Sequence, residues 1–153
     1  MTRLSVAIDI SASPSEVWTI LEPIEDHVNW MHDAVAIRFK TDQHRGAGTA
    51  FLCDTKIGPF KLIDQMEITE WKPDQAMGVR HVGVITGTGR FTLTPIDLGR
   101  RTRFAWDEAL TFPWWLGGPL IGLIGGRLVL RWIWKRNLRT LKEIVESRPY
   151  RRH

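Results

Sequence analysis

The spacing of apolar residues changes near residues 113–119, and this change constrains the fold more than any other feature. Before it, several segments carry apolar side chains at alternate positions; after it, apolar side chains recur every three or four residues as far as Ser147. A period of two is typical of half-buried strands, and a period near 3.6 is typical of an amphipathic helix. The sequence therefore predicts a series of short strands followed by one long helix.

The segments before this change predict seven strands and two short helices. Ser13 and Glu16 form a capping-box pattern with Pro14 at the first helical position, which predicts a helix over about 14–21. Pro23 opens a second short helical turn that ends near Trp30. The predicted strands cover residues 3–10, 34–40, 48–57, 60–71, 76–84, 88–95 and 100–111. Strands at this spacing, joined by short turns, are typical of an antiparallel meander.

The C-terminal helix is predicted over about 119–147, with one apolar face. That face carries Leu120, Ile124, Trp134, Leu138, Leu141 and Val145, and Arg127 and Arg131 fall on it as well. A single amphipathic helix can bury its apolar face only in the concavity of the sheet. The predicted fold class is α+β: a single domain, 1–153, in which a curved antiparallel sheet of six to seven strands wraps around a long C-terminal helix.

Charge and cysteine content restrict the environment and the partners of the chain. Cys53 is the only cysteine, so no internal disulfide can form, and no apolar signal region opens the sequence; we expect a cytoplasmic protein. Of the 21 Lys and Arg residues, nine follow residue 110, where cations suit the last turns of a helix. The basic tail is short and no recognised binding module accompanies it, so no nucleic-acid partner is predicted. Neither a metal nor a cofactor is predicted, because His27 and His32 are poorly spaced for one helical face and Cys53 is remote.

Short motifs follow one another along nearly the whole chain in a recognisable order. They are Ser13-Pro14-Ser15-Glu16-Val17-Trp18, Asn29-Trp30-Met31, Gly46-x-Gly48-Thr49, Glu70-Trp71-x-Pro73, Trp106-x-Glu108 and Leu138-x-x-Leu141-Lys142-x-x-Val145-Glu146. Together with the order of elements, they resemble the START-like SRPBCC superfamily, specifically its polyketide cyclase/dehydrase-like branch. The resemblance implies a helix-grip fold with a deep hydrophobic cavity. Members of the superfamily bind lipids, sterols, polyketides or hormones, and some catalyse cyclisation or dehydration; the motifs carry over no established catalytic residue.

Glu108 is the strongest candidate for chemistry in the cavity. It shares the apolar side of its strand with Phe104 and Trp106, which directs its carboxylate inward. A buried carboxylate must find a partner or be neutralised. Arg127 or Arg131, on the apolar face of the helix, is the predicted partner. Three interpretations remain open at this point: a polar anchor for a ligand, a general acid or base, and a structural ion pair.

His81 and Asp64 also fall on the inward side of their strands. His81 is compatible with a proton-transfer group near neutral pH and with a hydrogen-bonded core histidine. Asp64 allows the same two interpretations, and a bulge is a third possibility because it would turn the side chain towards solvent. An acid–base site would require His81, Glu108 and Asp64 to meet.

Three functions are compatible with these features. The leading hypothesis is binding of a small hydrophobic ligand, such as a lipid, sterol or polyketide-like molecule, in preference to catalysis. The predicted lining residues are Trp30, Phe51, Phe60, Met66, His81, Phe91, Trp106, Glu108, Arg127, Trp134 and Leu138. The second hypothesis is a cofactor-independent polyketide cyclase or dehydratase using Glu108 and His81. The third is a homodimer or peripheral membrane contact through the Trp-rich segment 112–134, unless that segment folds over the cavity.

Overall fold

One antiparallel sheet of seven strands dominates the computed structural model of the chain, which describes residues 1–114 and 124–148. The strands are β1 (Thr2–Ile10), β2 (Ala34–Phe39), β3 (Ala50–Ile57), β4 (Phe60–Lys72), β5 (Ala76–Val82), β6 (Thr86–Ile96) and β7 (Arg101–Thr111). Their order across the sheet is β1-β7-β6-β5-β4-β3-β2. The predicted meander is therefore present, with the first strand paired to the last.

Two α-helices and two 3-10 helices, the shorter of which is Asp97–Gly99, accompany the sheet in the described part of the chain. Helix α1 (Pro14–Leu21) begins at the predicted capping box: the Glu16 N–H donates to Ser13 Oγ at 3.3 Å, and the Ser13 N–H donates to Glu16 Oε2 at 2.9 Å. A 3-10 helix, Ile24–Asn29, follows it. Helix α2 spans Ile124–Glu146, and the predicted start of this helix, with Leu120, lies outside the described residues. None of the helices in the described ranges is both long and apolar enough to cross a bilayer.

Helix α2 buries the C-terminal half of its apolar face against the sheet and packs along β1. The buried side chains are the predicted Trp134, Leu138, Leu141 and Val145. Polar contacts fix the end of the helix to the strand: Lys142 Nζ donates to the Asp9 carbonyl at 2.6 Å, and the Ser11 N–H donates to Glu146 Oε1 at 2.8 Å. The sheet and α2 together enclose the core.

A buried amide links α2 to the segment before β2. Asn137 is fully buried; its Nδ2 donates to Asp33 Oδ1 at 2.8 Å, and its Oδ1 accepts from the His32 N–H at 2.9 Å. Both hydrogen-bonding ends of the amide are thus satisfied away from water, as burial requires. This link fixes α2 relative to the segment that leads into β2.

An aromatic cluster fills the core beside the helix. Trp30 packs against Phe91, Phe104 and Trp106 with ring centroids 5.7 to 6.5 Å apart, in tilted or edge-on arrangements. Trp106 stacks on Trp134 of α2 at 4.9 Å. Such ring pairs stabilise a core beyond the area they bury. The cluster joins the inner face of the sheet to the helix.

Candidate functional site

A cavity of about 110 Å³ lies between the concave face of the sheet and α2. Strands β2 to β7 supply one wall, and Leu130 and Trp134 of α2 supply the other. Most of the lining side chains are aliphatic or aromatic. The arrangement is a mostly apolar pocket with a small number of polar groups, which is typical of small-molecule sites.

Seven of the eleven predicted lining residues lie on this cavity. They are Phe51, Met66, His81, Phe91, Trp106, Glu108 and Trp134. Their role as ligand contacts stays a prediction, but strand parity placed the sheet residues on the correct face. The inward face of each strand was recognisable because apolar and polar residues alternate along it.

The other four predicted lining residues lie elsewhere. Trp30 and Leu138 are buried in the core beside the cavity, where they pack against other side chains. Phe60 is the first residue of β4, beside the Gly58-Pro59 turn at the tip of a hairpin, and is 37% exposed. Arg127 lies exposed in the first turns of α2.

A polar cluster occupies one part of the cavity wall. Nδ1 of His81 lies 2.9 and 3.0 Å from the two carboxylate oxygens of Asp64, and its Nε2 lies 3.2 Å from Glu108 Oε2. The other oxygen of Glu108, Oε1, accepts from the Trp106 indole N–H at 2.8 Å. The side chains of the two carboxylates and His81 are at most 11% exposed. The three groups that the sequence placed on inward faces therefore meet.

A glycine makes this meeting possible. Glu108 is on β7 and His81 is on β5, so β6 lies between them, and the residue of β6 opposite Glu108 is Gly89. A Cβ atom on Gly89 would lie 2.8 Å from Glu108 Oε1, closer than real Cβ atoms approach. The missing side chain leaves the space through which the Glu108 carboxylate crosses β6. Sequence reasoning overlooked Gly89, although a glycine within a strand often marks a close approach.

The cluster holds a protonated histidine between two acids. Burial alone lowers the pKa of His81, but hydrogen bonds to Asp64 and Glu108 outweigh burial and raise this pKa to about 10. Each ring N–H of the imidazolium then donates to one carboxylate. The trio thus places two acidic side chains and one imidazolium inside a mostly apolar pocket.

The prediction that Arg127 or Arg131 pairs with Glu108 is wrong. Both arginines are exposed, whereas Glu108 contacts His81 and Trp106. The helical period places the arginines on the same face as Trp134, but the first turns of α2 extend past the buried part of that face. A long arginine side chain keeps its charged end in water wherever the backbone allows it. Asp64 points inward, because the β4 bulge lies further along the strand, between Ile68 and Glu70.

Further polar groups line the cavity, among them His27, Asp33 and Cys53. His27 Nε2 donates to the Leu21 carbonyl at 2.7 Å, and burial lowers the pKa of His27, so its imidazole is neutral with Nδ1 as an acceptor. Burial raises the pKa of Asp33, which accepts from Asn137, and raises the pKa of the Cys53 thiol to about 11. Sequence reasoning did not select Asp33 or Asn137. Asn137 was detectable as a polar residue between Trp134 and Leu141 on the apolar face.

A second feature lies outside the cavity: the exposed side chains among residues 127–136 of α2, which we name the α2 surface. Leu128 and Trp132 are 63% and 57% exposed, and Val129 is also exposed. Arg136 lies over the Trp132 ring, 5.7 Å from its centroid. Residues 124–142 contain six Lys or Arg and no Asp or Glu. The remaining part of the Trp-rich segment, 115–123, lies outside the described residues.

Solved structures with the same fold come from several bacteria. The crystal structure of TTHA0849 from Thermus thermophilus has a TM-score of 0.73 at 19% identity, with 95% of this chain and 98% of that chain covered. A START superfamily protein from Mycobacterium smegmatis gives 0.70 at 13%, with 95% and 97% covered. The Zhui aromatase/cyclase from a Streptomyces species gives 0.70 at 14%, with 96% and 94% covered. At these identities the likeness establishes the fold, which confirms the helix-grip prediction.

Sequence comparison gives the family. No curated protein matches the chain. Residues 1–146 match the family described as polyketide cyclase / dehydrase and lipid transport, so the match covers all seven strands and both described helices. This match confirms the resemblance that the motifs indicated. The chain belongs to the polyketide cyclase / dehydrase and lipid transport family.

Proposed function

We propose that this protein binds a small, largely apolar molecule in the cavity between the sheet and α2. The observation that carries the proposal is the cavity itself, with apolar walls from both the sheet and the helix and one compact polar cluster. Burial of the apolar part supplies the affinity, at roughly 25 cal/mol per Å² removed from water. The polar cluster orients the ligand.

The size of the cavity restricts the ligand. An engineered apolar cavity of about 150 Å³ holds benzene, and the cavity in this protein is about 110 Å³. The enclosed space therefore takes a ring or a short alkyl chain. A lipid, sterol or polyketide-like ligand must extend past half-buried lining residues such as Phe112 and Leu130, or displace side chains.

A series of straight-chain 1-alkanols tests the proposal. Each added methylene that enters the cavity contributes about 0.8 kcal/mol, so the dissociation constant falls about fourfold per carbon until the space is full and then levels off. Calorimetry or displacement of an environment-sensitive dye measures the dissociation constant of each alkanol. Cys53→Trp fills the cavity and should abolish the dependence of the dissociation constant on chain length. Leu52→Trp, on the opposite face of β3, should retain this dependence. Absence of alkanol binding, or equal binding by the two variants, would contradict the proposal.

The second candidate function is cyclisation or dehydration by proton transfer. The observation that favours it is the 3.2 Å contact between His81 and Glu108 in the cavity wall. General acid–base catalysis works best when the pKa lies near the working pH, and the pKa of His81 is raised to about 10. The proton-accepting role would therefore fall to Glu108, with His81 as a fixed cation beside it.

Mass spectrometry of a linear poly-β-ketone thioester incubated with the protein tests this candidate. Loss of water or ring closure is expected to slow about 10²–10⁴-fold in Glu108→Gln and to stay unchanged in Asp107→Asn. Asp107 is adjacent to Glu108 but contacts Ser5 on the outer face, so it controls for charge. A product that forms as fast in Glu108→Gln as in the unmodified protein would contradict this candidate function.

We also propose that the α2 surface contacts an anionic bilayer. Exposed Leu128, Val129 and Trp132 would enter the interface, and the neighbouring cations would meet acidic headgroups. A helix with aromatic and aliphatic residues beside Lys and Arg is typical of interfacial binding. Each cation near an anionic surface contributes about 1 kcal/mol, or about fivefold in affinity.

Vesicle sedimentation tests the membrane contact. Binding to vesicles of phosphatidylcholine with phosphatidylglycerol should exceed binding to phosphatidylcholine alone. Trp132→Ala and Arg131→Gln should weaken it, whereas Leu98→Ala, at an exposed position in the β6–β7 turn, should not. Equal binding to both vesicle types would contradict the proposal. A homodimer that Trp132→Ala dissociates would assign the surface to a second copy of the chain instead.

A further inference from the structure

The polar atoms on the cavity wall are mainly hydrogen-bond acceptors. Asp33, Asp64 and Glu108 contribute carboxylates, and neutral His27 contributes an unprotonated Nδ1. A carboxylate is acceptor-only and has about four lone-pair positions. Each oxygen of Glu108 receives one donor, from Trp106 or His81, so positions remain free on both.

The N–H donors of the polar cluster are already engaged, and the hydroxyl of Thr55, which also lines the cavity, donates to the Cys53 carbonyl at 3.4 Å. The two ring N–H groups of His81 face Asp64 and Glu108, and the indole N–H of Trp106 faces Glu108. Arg90 contributes to the lining, but its guanidinium lies on the outer face, where Nε donates to Glu70 at 2.7 Å. Across residues 1–114 and 124–148, we find no basic side chain that directs a free charge into the cavity.

We propose that the ligand carries a hydrogen-bond donor, a hydroxyl or an amine, and that the cavity rejects carboxylates. This inference rests on the proposed ligand-binding function and names its ligand class. A hydroxyl or ammonium group would donate to a free position on Glu108 or Asp64. A carboxylate would lose its hydration and would face the oxygens of Glu108 and Asp64, because the N–H groups of His81 and Trp106 already donate to those oxygens.

The cluster is preorganised for this selection. His81 and Trp106 each donate to one oxygen of the Glu108 carboxylate, Asp64 holds His81 from its other side, and the space over Gly89 fits the carboxylate. A group fixed before binding loses little conformational freedom when the ligand arrives. The discrimination therefore requires no rearrangement of the cluster.

Three ligands that share one alkyl chain test the inference: hexan-1-ol, hexylamine and hexanoate, measured by calorimetry at neutral pH. The alcohol and the amine should bind at least about tenfold more tightly than hexanoate. Each of them can donate a charge-assisted hydrogen bond to a cavity carboxylate, whereas hexanoate has no hydrogen to donate. In Glu108→Gln the ratio of the affinity for the alcohol or the amine to the affinity for hexanoate should fall by about tenfold. The control Asp107→Asn removes an equal charge from the outer face and should keep the full preference.

The outcomes separate this inference from the function on which it rests. Hexanoate binding as tightly as hexan-1-ol would overturn the inference and leave the binding function in place. If none of the three ligands and no member of the alkanol series binds, the binding function itself fails. The comparison of the three ligands in the unmodified protein tests the inference even if Glu108→Gln does not fold.

Discussion

The two walls of the cavity differ in the polar side chains that they contribute. The sheet wall buries Asp64, His81 and Glu108 in one cluster, whereas the helix wall presents Leu130 and Trp134. The buried amide of the helix, Asn137, directs its hydrogen bonds to His32 and Asp33 in the segment before β2. The sheet therefore contributes the His81 cluster to the cavity, and the helix contributes apolar surface.

This difference follows from the geometry of the two elements. Neighbouring strands lie about 4.8 Å apart, so a buried charge on one strand finds a partner on the next or, across a glycine, on the one after. A single helix has no such neighbour on its buried side, and an unpaired charge there would lower the stability of the folded protein. The walls consequently respond differently to pH and to substitution.

His81→Gln should produce the largest effect on the sheet wall. It leaves two buried carboxylates without a cation, and breaking a buried ion pair costs about 3–5 kcal/mol. Because the pKa of His81 is raised from its ordinary 6.5 to about 10, its contribution is complete below pH 6.5 and disappears as pH rises through 10. Urea unfolding should show the stability difference shrinking over this range, and a difference independent of pH would contradict the ion-pair account.

Trp134→Ala should cost a similar amount on the helix wall without the pH dependence. Trp134 is buried and stacks on Trp106, and truncation of a buried tryptophan costs about 3–5 kcal/mol. No charge is removed, so the loss of unfolding free energy should be the same at pH 6.5 and pH 10. The control is Trp132→Ala, an exposed position two residues away, where a change within about 0.5 kcal/mol is expected.

Gly89→Ala should have the smallest effect on stability and a clear effect on the cluster. The new methyl group would displace the Glu108 carboxylate, which is the end of a flexible side chain, so we expect a net loss of about 1 kcal/mol. Without Glu108 as a partner, the pKa of His81 should fall below 10, which an NMR titration measures. Thr88→Ala, on the outer face of β6, is the control; an unchanged pKa of His81 in Gly89→Ala would show that Gly89 does not position Glu108.

Strand periodicity predicted the sheet wall well because burial of one face enforces strict alternation. The inward placement of His81, Glu108 and Asp64 followed from it. Their mutual contact did not, because it depends on strand order and on the absence of a side chain at Gly89. Periodicity within one strand carries no information on which strand lies beside it.

Helical periodicity predicted the helix wall less well, because it gives a face and not the length over which the face is buried. Trp134 and Leu141 are buried as expected, whereas Arg127 on the same face is exposed. Trp30 was assigned to the cavity and lies in the aromatic core instead. An aromatic side chain fits both environments, and only the packing of its neighbours distinguishes them.

A crystal structure of the protein with hexan-1-ol would show whether the cavity binds an apolar ligand and whether the polar cluster orients it. We expect the alkyl chain between Phe91 and Trp134 and the hydroxyl oxygen within about 3.0 Å of a Glu108 or Asp64 carboxylate oxygen, as in an ordinary hydrogen bond. An alcohol bound only at the outer surface, or a core whose side chains fill the space completely, would contradict this expectation.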